Sequence, residues 1–177
     1  MQLMGGKEKL AQHLDNLFTA KEETSGRKQP DITGLIGQYV HGNEPSHHMA
    51  YLYNFVNQPS NTQRIVREVL TKLYSNTPEG VSGNEDCGQM SAWYIFSSLG
   101  FYPVTPGSNE YIIGSPLFEK ATINLEDGKQ FTVQANGVSA ENFYIKSATL
   151  NGKTLNRSYV YHAEIIAGGH LVFEMTN

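Results

Sequence analysis

Two short segments hold residue types that could do acid–base chemistry on a polar substrate. They are Gly42-Asn43-Glu44-Pro45-Ser46-His47-His48-Met49 and Gly83-Asn84-Glu85-Asp86-Cys87-Gly88-Gln89-Met90. Superposed, they agree at Gly, Asn, Glu and Met, and the same offset pairs Tyr53 with Tyr94 and Phe55 with Phe96. Among their polar residues are three carboxylates (Glu44, Glu85, Asp86), two imidazoles (His47, His48) and the amides of Asn43 and Asn84. Inverting hydrolysis of a glycoside needs a carboxylic acid to protonate the leaving oxygen and a carboxylate, roughly 6.5 to 9.5 Å away, to activate water on the opposite face. A carboxylate at a helix amino terminus is favoured in its ionised form, which suits the base. His47 and His48 are adjacent on a helical turn, so their side chains diverge by about 100° and only one can face a ligand. Calcium accepts carboxylate and amide oxygens, but this spacing matches no calcium loop. The same residues are also good helix caps: Pro45 suits a first turn, and Asn43, Asn84 or Asp86 can accept from exposed amides.

The elements that must carry these motifs change period along the chain. Leu10, Leu14, Leu17 and Phe18, and again Ile65, Val66, Val69, Leu70 and Leu73, recur with helical spacing and predict two amphipathic helices. Met49–Phe55 and Met90–Phe96 are apolar almost all round and predict buried helices. A repeat of about 40 residues with a loop and two helices per unit marks stacked helix pairs, so an alpha/alpha toroid with the motifs at the mouths of inner helices is expected. The run from Thr24 to Pro30 and the glycines Gly34, Gly37 and Gly42 read as a long loop leading to the first motif.

Beyond Pro106-Gly107-Ser108 the alternation has a period of two, at 121–125, 131–135 and 171–175. Turn signals at Glu126-Asp127-Gly128, Asn151-Gly152 and Gly168-Gly169 separate the runs, and an antiparallel meander is expected. The division falls into 1–107, helical, and 108–177, strands.

Composition removes several classes. A net charge of −4 over 177 residues offers no basic footprint for nucleic acid. No apolar run is long enough to span a bilayer, and Met1 to Lys7 lacks the layout of a signal peptide. One cysteine, Cys87, excludes an intrachain disulfide. No phosphate loop, nucleophile elbow, cysteine pair or His-Glu-x-x-His occurs.

The two motifs, extended by Ser91-Ala92-Trp93-Tyr94 and by Gly100-Phe101-Tyr102-Pro103-Val104, closely resemble glycoside hydrolase family 92. The resemblance implies a calcium-requiring, inverting exo-alpha-mannosidase with an amino-terminal beta-sandwich packed on an (alpha/alpha)6 barrel. This chain would be its carboxy-terminal part: an α+β piece whose helical hairpins close the toroid, followed by a small antiparallel sheet or half sandwich. It implies Asp86 as general base, with Asn84 where some members carry a second aspartate. It also implies sugar recognition at Asn43 and Glu44, and His47 and Glu85 are assigned to the sugar with them. A mannose-containing glycan, with alpha-1,2 links the expected target, would be the substrate of a periplasmic or secreted bacterial enzyme. The family's general acid is not found here, so the chain without its missing amino-terminal part is expected to be inactive.

Two rivals stand beside this reading. The strand half could be a carbohydrate-binding module using Tyr144, Tyr159 or Tyr161 as platforms. Alternatively, the toroid could belong to a hydrolase or lyase acting on another sugar.

Overall fold

The computed structural model describes residues 2–22 and 32–177. The expected loop from Thr24 to Pro30 lies outside the described residues. Helix α1, Lys7–Thr19, buries Ala11, Leu14 and Phe18, and helix α2, Pro59–Lys72, buries Ile65, Val66, Val69 and Leu70, the faces the apolar spacing predicts. Pro59 opens α2, where its missing N–H costs nothing.

The segment expected as the first buried helix is a tighter 3-10 helix, Met49–Val56, lying against α1 and α2. It buries Ala50, Tyr51, Tyr53 and Val56 and ends where Asn57 takes a left-handed conformation, φ 63°. Helix α3, Gln89–Leu99, buries Met90 and Trp93 but leaves Ile95 56% exposed. One face of α3 is therefore open, where the sequence suggested burial all round.

Where Gly34, Gly37 and Gly42 were expected to continue that loop, the chain instead forms a hairpin of two short antiparallel strands, β1 Leu35–Ile36 and β2 Tyr39–Val40, between α1 and the 3-10 helix. Gly37, φ 62°, makes its turn, and an added Cβ there would meet the Leu17 carbonyl oxygen at 2.5 Å.

Strands β3 (Phe101–Tyr102), β4 (Glu110–Ile113) and β9 (Tyr159–Tyr161) form a small antiparallel sheet. Successive residues of a strand point to opposite faces, and this sheet uses both. Tyr102, Ile112 and Tyr159 face the core of the helices, built around Trp93, Tyr51 and Tyr53. Their neighbours Phe101, Ile113 and Val160 face a second core with Phe131, Leu171 and Phe173. The sheet is a shared wall between the two cores. It takes one strand from before residue 107 and two from after it.

The second core lies under a five-stranded sheet of β5 (Lys120–Asn124), β6 (Gln130–Asn136), β10 (Gly169–Thr176), β7 (Tyr144–Leu150) and β8 (Lys153–Thr154), in that spatial order. The expected turns hold: Asn151 and Gly152, both at positive φ, join β7 to β8, and 126–128 joins β5 to β6. The expected antiparallel meander is corrected. Strand β10 enters between β6 and β7, parallel to β6 and antiparallel to β7, so the sheet is mixed. Turn residues specify only hairpin neighbours, whereas Leu171 and Phe173 are drawn to the centre by burial. A five-residue helix α4, His162–Ile166, lies where only strands were expected.

Buried polar contacts tie α2 to the strands. Arg67, 7% exposed, donates from Nη2 to the Pro116 carbonyl at 2.6 Å and to Ser115 Oγ at 3.3 Å. Gln63 Oε1 accepts the backbone N–H of Ile145 at 2.9 Å.

Candidate active site

The two Gly-Asn-Glu motifs meet at their glycines. Gly83 has φ 77°, and a Cβ placed on it would lie 2.4 Å from the Gly42 carbonyl oxygen and 2.9 Å from the Gly42 Cα. Gly42 is pressed from its other side by Thr33, whose Oγ1 would lie 2.2 Å from an added Cβ. The backbone amide of Gly42 donates to the Thr33 carbonyl and that of His41 to the Gly34 carbonyl, both at 3.0 Å, which continues the β1–β2 ladder into the motif. Only residues without side chains allow this approach. Asn43-Glu44 and Asn84-Glu85-Asp86 thus leave one point of the structure.

Beyond that point the polar residues face water. Glu44 opens a short 3-10 turn, Glu44–Ser46, that includes Pro45, and it is exposed; Asn43 before it is half-buried in extended conformation. Asn84, Glu85 and Asp86 are all exposed. Glu85 Oε1 accepts the backbone N–H of Ser91 at 3.1 Å, so one of its oxygens caps the start of α3. Asp86, Cys87 and Gly88 follow with φ of 46°, 57° and 91°. Two consecutive non-glycine residues in the left-handed region are disfavoured, and such conformations gather at functional sites. The turn is tied to α3 by the Gln89 N–H, which donates to the Asp86 carbonyl at 3.2 Å.

Behind the exposed groups stands a buried aromatic and imidazole cluster. The rings of His41 and His47 stack with centroids 4.7 Å apart, and Trp93 meets His41 edge-on at 4.4 Å. His41 Nδ1 lies 2.8 Å from Tyr39 Oη and its Nε2 2.7 Å from Tyr74 Oη. Tyr74 spends its own hydroxyl proton on the Met90 carbonyl at 3.1 Å, so His41 Nε2 carries a hydrogen and Nδ1 accepts from Tyr39. Burial, with His47 beside it, drives the His41 pKa down to about 3. Burial lowers that of His47 as well, against the opposing pull of the His41 carbonyl and of Glu44. Burial raises the Tyr74 hydroxyl, and the Glu85 charge adds to the shift.

His47, read from the sequence as a sugar contact, packs into this cluster. It is 2% exposed, its Nε2 meets the His41 carbonyl at 3.0 Å, its Nδ1 meets Gln89 Nε2 at 3.1 Å, and its own carbonyl accepts from Trp93 Nε1 at 3.1 Å. His48, half-buried, instead borders a groove of about 490 Å³ lined by Leu10, Leu52, Phe55, Val104 and Pro106. A second groove, about 570 Å³, runs beside α3 between Tyr74, Val81, Ser91, Tyr94 and Ile95. One groove flanks each motif. Gln89 and Tyr102 were not singled out from the sequence. The signal was available, since Gln89 is the first residue of the helix that the second motif opens.

Calcium chemistry asks for several oxygen donors around one point. Among the described residues no group of three or more His, Cys, Asp or Glu is gathered to hold a metal. The exposed donors here are the right type but do not by themselves make a cage. The tyrosines named as sugar platforms are half-buried: Tyr159 packs on the helical core, Tyr161 lies against Arg157, and Tyr144 against Phe143. No helix is long and apolar enough to cross a membrane among the described residues.

Comparison with known proteins gives a consistent result. The sequence model of the glycosyl hydrolase family 92 catalytic domain matches residues 1–177. An uncharacterized secreted glycosidase of Arthroderma benhamiae is 32% identical over 174 residues, which is 97% of this chain and 20% of that protein. A family 92 alpha-mannosidase of Bacteroides thetaiotaomicron, solved in complex with mannoimidazole, is 46% identical with a TM-score of 0.92, covering 97% of this chain and 22% of that one. A family 92 inverting mannosidase of Bacteroides thetaiotaomicron VPI-5482 is 43% identical with a TM-score of 0.83, over 98% of this chain and 25% of that one. The chain thus spans about a fifth to a quarter of the length of these relatives.

Proposed function

Because the chain belongs to glycoside hydrolase family 92, we propose that it supplies the general-base side of an inverting exo-alpha-mannosidase. The observation that carries this is the contact of Gly42 with Gly83, from which the exposed carboxylates of Glu44 and Asp86 extend. Asp86 takes a proton from water as the water oxygen bonds to the anomeric carbon of a terminal mannose. The bond from that carbon to the linking oxygen breaks, and the leaving oxygen takes its proton from an acid outside this chain. Asn43 and Glu44 bind the sugar on the leaving-group side, with alpha-1,2 links preferred, while Asn84 and Glu85 border the base. The helices are the last of an (alpha/alpha)6 toroid, and 1–107 and 108–177 are its helical and strand parts. The enzyme requires calcium held mainly by donors from beyond this chain. It works on glycans outside the cytoplasm, secreted or periplasmic; the name of the Arthroderma benhamiae relative supports the secreted reading.

In the full-length enzyme, Asp86→Asn should lower kcat about 10²- to 10⁴-fold, the range of a general base, and leave mannoimidazole binding within a few-fold. Turnover near the wild-type level would refute the assignment. The 177-residue chain alone should release no mannose from mannobiose with calcium present, and release at a measurable rate would show that the acid lies within it.

A further inference from the structure

Gln89 joins the two motifs through hydrogen bonds whose polarity admits one arrangement. His47 Nε2 lies 3.0 Å from the His41 carbonyl oxygen, which can only accept, so Nε2 carries the ring proton. In the neutral ring Nδ1 then holds a lone pair, and the Gln89 side chain 3.1 Å away must turn its NH2 towards it. The other hydrogen of that NH2 reaches Tyr102 Oη at 3.1 Å. Both donor positions of Gln89 are thereby used, one on the residue three places after Glu44 and one on the strand that follows α3. The same residue's backbone N–H holds the Asp86 carbonyl at 3.2 Å.

This matters because Asp86 and Cys87 occupy conformations that side chains disfavour, φ 46° and 57°. A turn of that kind keeps its shape only if both ends are held. Gly83 against Gly42 holds one end, and Gln89 holds the other. We propose that Gln89 is a positioning residue which, clamped by His47 and Tyr102, fixes the direction in which Asp86 presents its carboxylate. The inference rests on the reading of Asp86 as general base. It assigns to His47 the task of anchoring that base from the opposite motif.

The test is kinetic, in the full-length enzyme. Gln89→Leu keeps the bulk and removes both donors; kcat should fall roughly 10- to 100-fold with KM changed less than about twofold, the signature of a misplaced reacting group. Gln89→Glu keeps the length but sets an oxygen against the lone pair of His47, and should lose a comparable factor. If the leucine variant fails to fold, the glutamate variant decides alone. Against a His47→Ala background the further loss from Gln89→Leu should shrink to a few-fold, because the partner is already gone. Wild-type kcat in either single variant, a loss confined to KM, or fully additive losses would overturn the proposal. Asp86→Asn measured alongside separates the two claims: an inactive Asp86→Asn with a normal Gln89→Leu sinks only the role of Gln89, whereas an active Asp86→Asn sinks the base itself.

Discussion

Gly83 has backbone on the side where any other residue would place a carbon, and its φ of 77° disfavours a side chain as well. Gly83→Ala should therefore destabilise the protein by about 1–3 kcal/mol, and kcat should fall further than stability alone explains, because the motifs are wedged apart. Urea unfolding and kinetics on the same preparation check both halves; an alanine variant as stable and as active as wild type would mean the contact is not needed. The buried imidazoles set a pH dependence of known sign. His41 titrates near 3 in the folded chain against an ordinary 6.5, so unfolded chains take up its proton first as pH falls. Its stabilising contribution is whole above 6.5 and erodes as pH drops towards 3, at up to about 1.4 kcal/mol per pH unit. His47 is shifted in the same direction and adds to the loss. Urea midpoints that stay flat between pH 6.5 and about 4 would show that the rings are not kept neutral. At this scale the sequence identified the motifs through their repeat and their residue types. It could not rank His47 against His48, because helical spacing says that two neighbours diverge without saying which one meets the core.

Arg67 is one of the connections between α2 and the strand half. It lies in α2 among apolar neighbours, burial lowers its pKa, and its Nε has no hydrogen-bond partner. Its charge is met by the Pro116 carbonyl, Ser115 Oγ and the Phe143 ring at 5.8 Å, and no ion pair involves it among the described residues. Arg67→Ala should cost roughly 2–4 kcal/mol, from lost packing and an orphaned carbonyl. Arg67→Met, which fills the space without a desolvated charge, should cost less than about 1.5 kcal/mol. Chemical denaturation of both variants tests the contrast, and a methionine variant as damaged as the alanine one would mean that the charge itself is required. Helices α1 and α2 were legible because an apolar face repeats along each one, and the β7–β8 turn because Asn151-Gly152 tolerates positive φ. The insertion of β10 was not legible. A strand bounded by glycines reads alike at an edge and at a centre, and which strands it joins depends on residues far away in the chain.

For the molecule as a whole, the shared three-stranded wall predicts a single unfolding event. Melting followed through Trp93, which lies in the helical core, should coincide with melting followed through the backbone amides of β6 and β10, which cover the second core. Two separated transitions would show that the cores are independent. The overall class, helices followed by strands, could be read from the change of period near residue 107. The wall that welds them could not, since it is made of strands of two to four residues drawn from 101–102, 110–113 and 159–161. The place of β10 has a further consequence, for the making of the protein. While a growing chain is still on the ribosome, 120–136 and 144–154 can form hairpins, but each keeps a raw flank until 169–176 arrives to bridge them. Nascent chains stalled short of that bridge would carry two sticky borders and invite pairing with one another. The strand that bridges the two hairpins therefore also closes both of those borders.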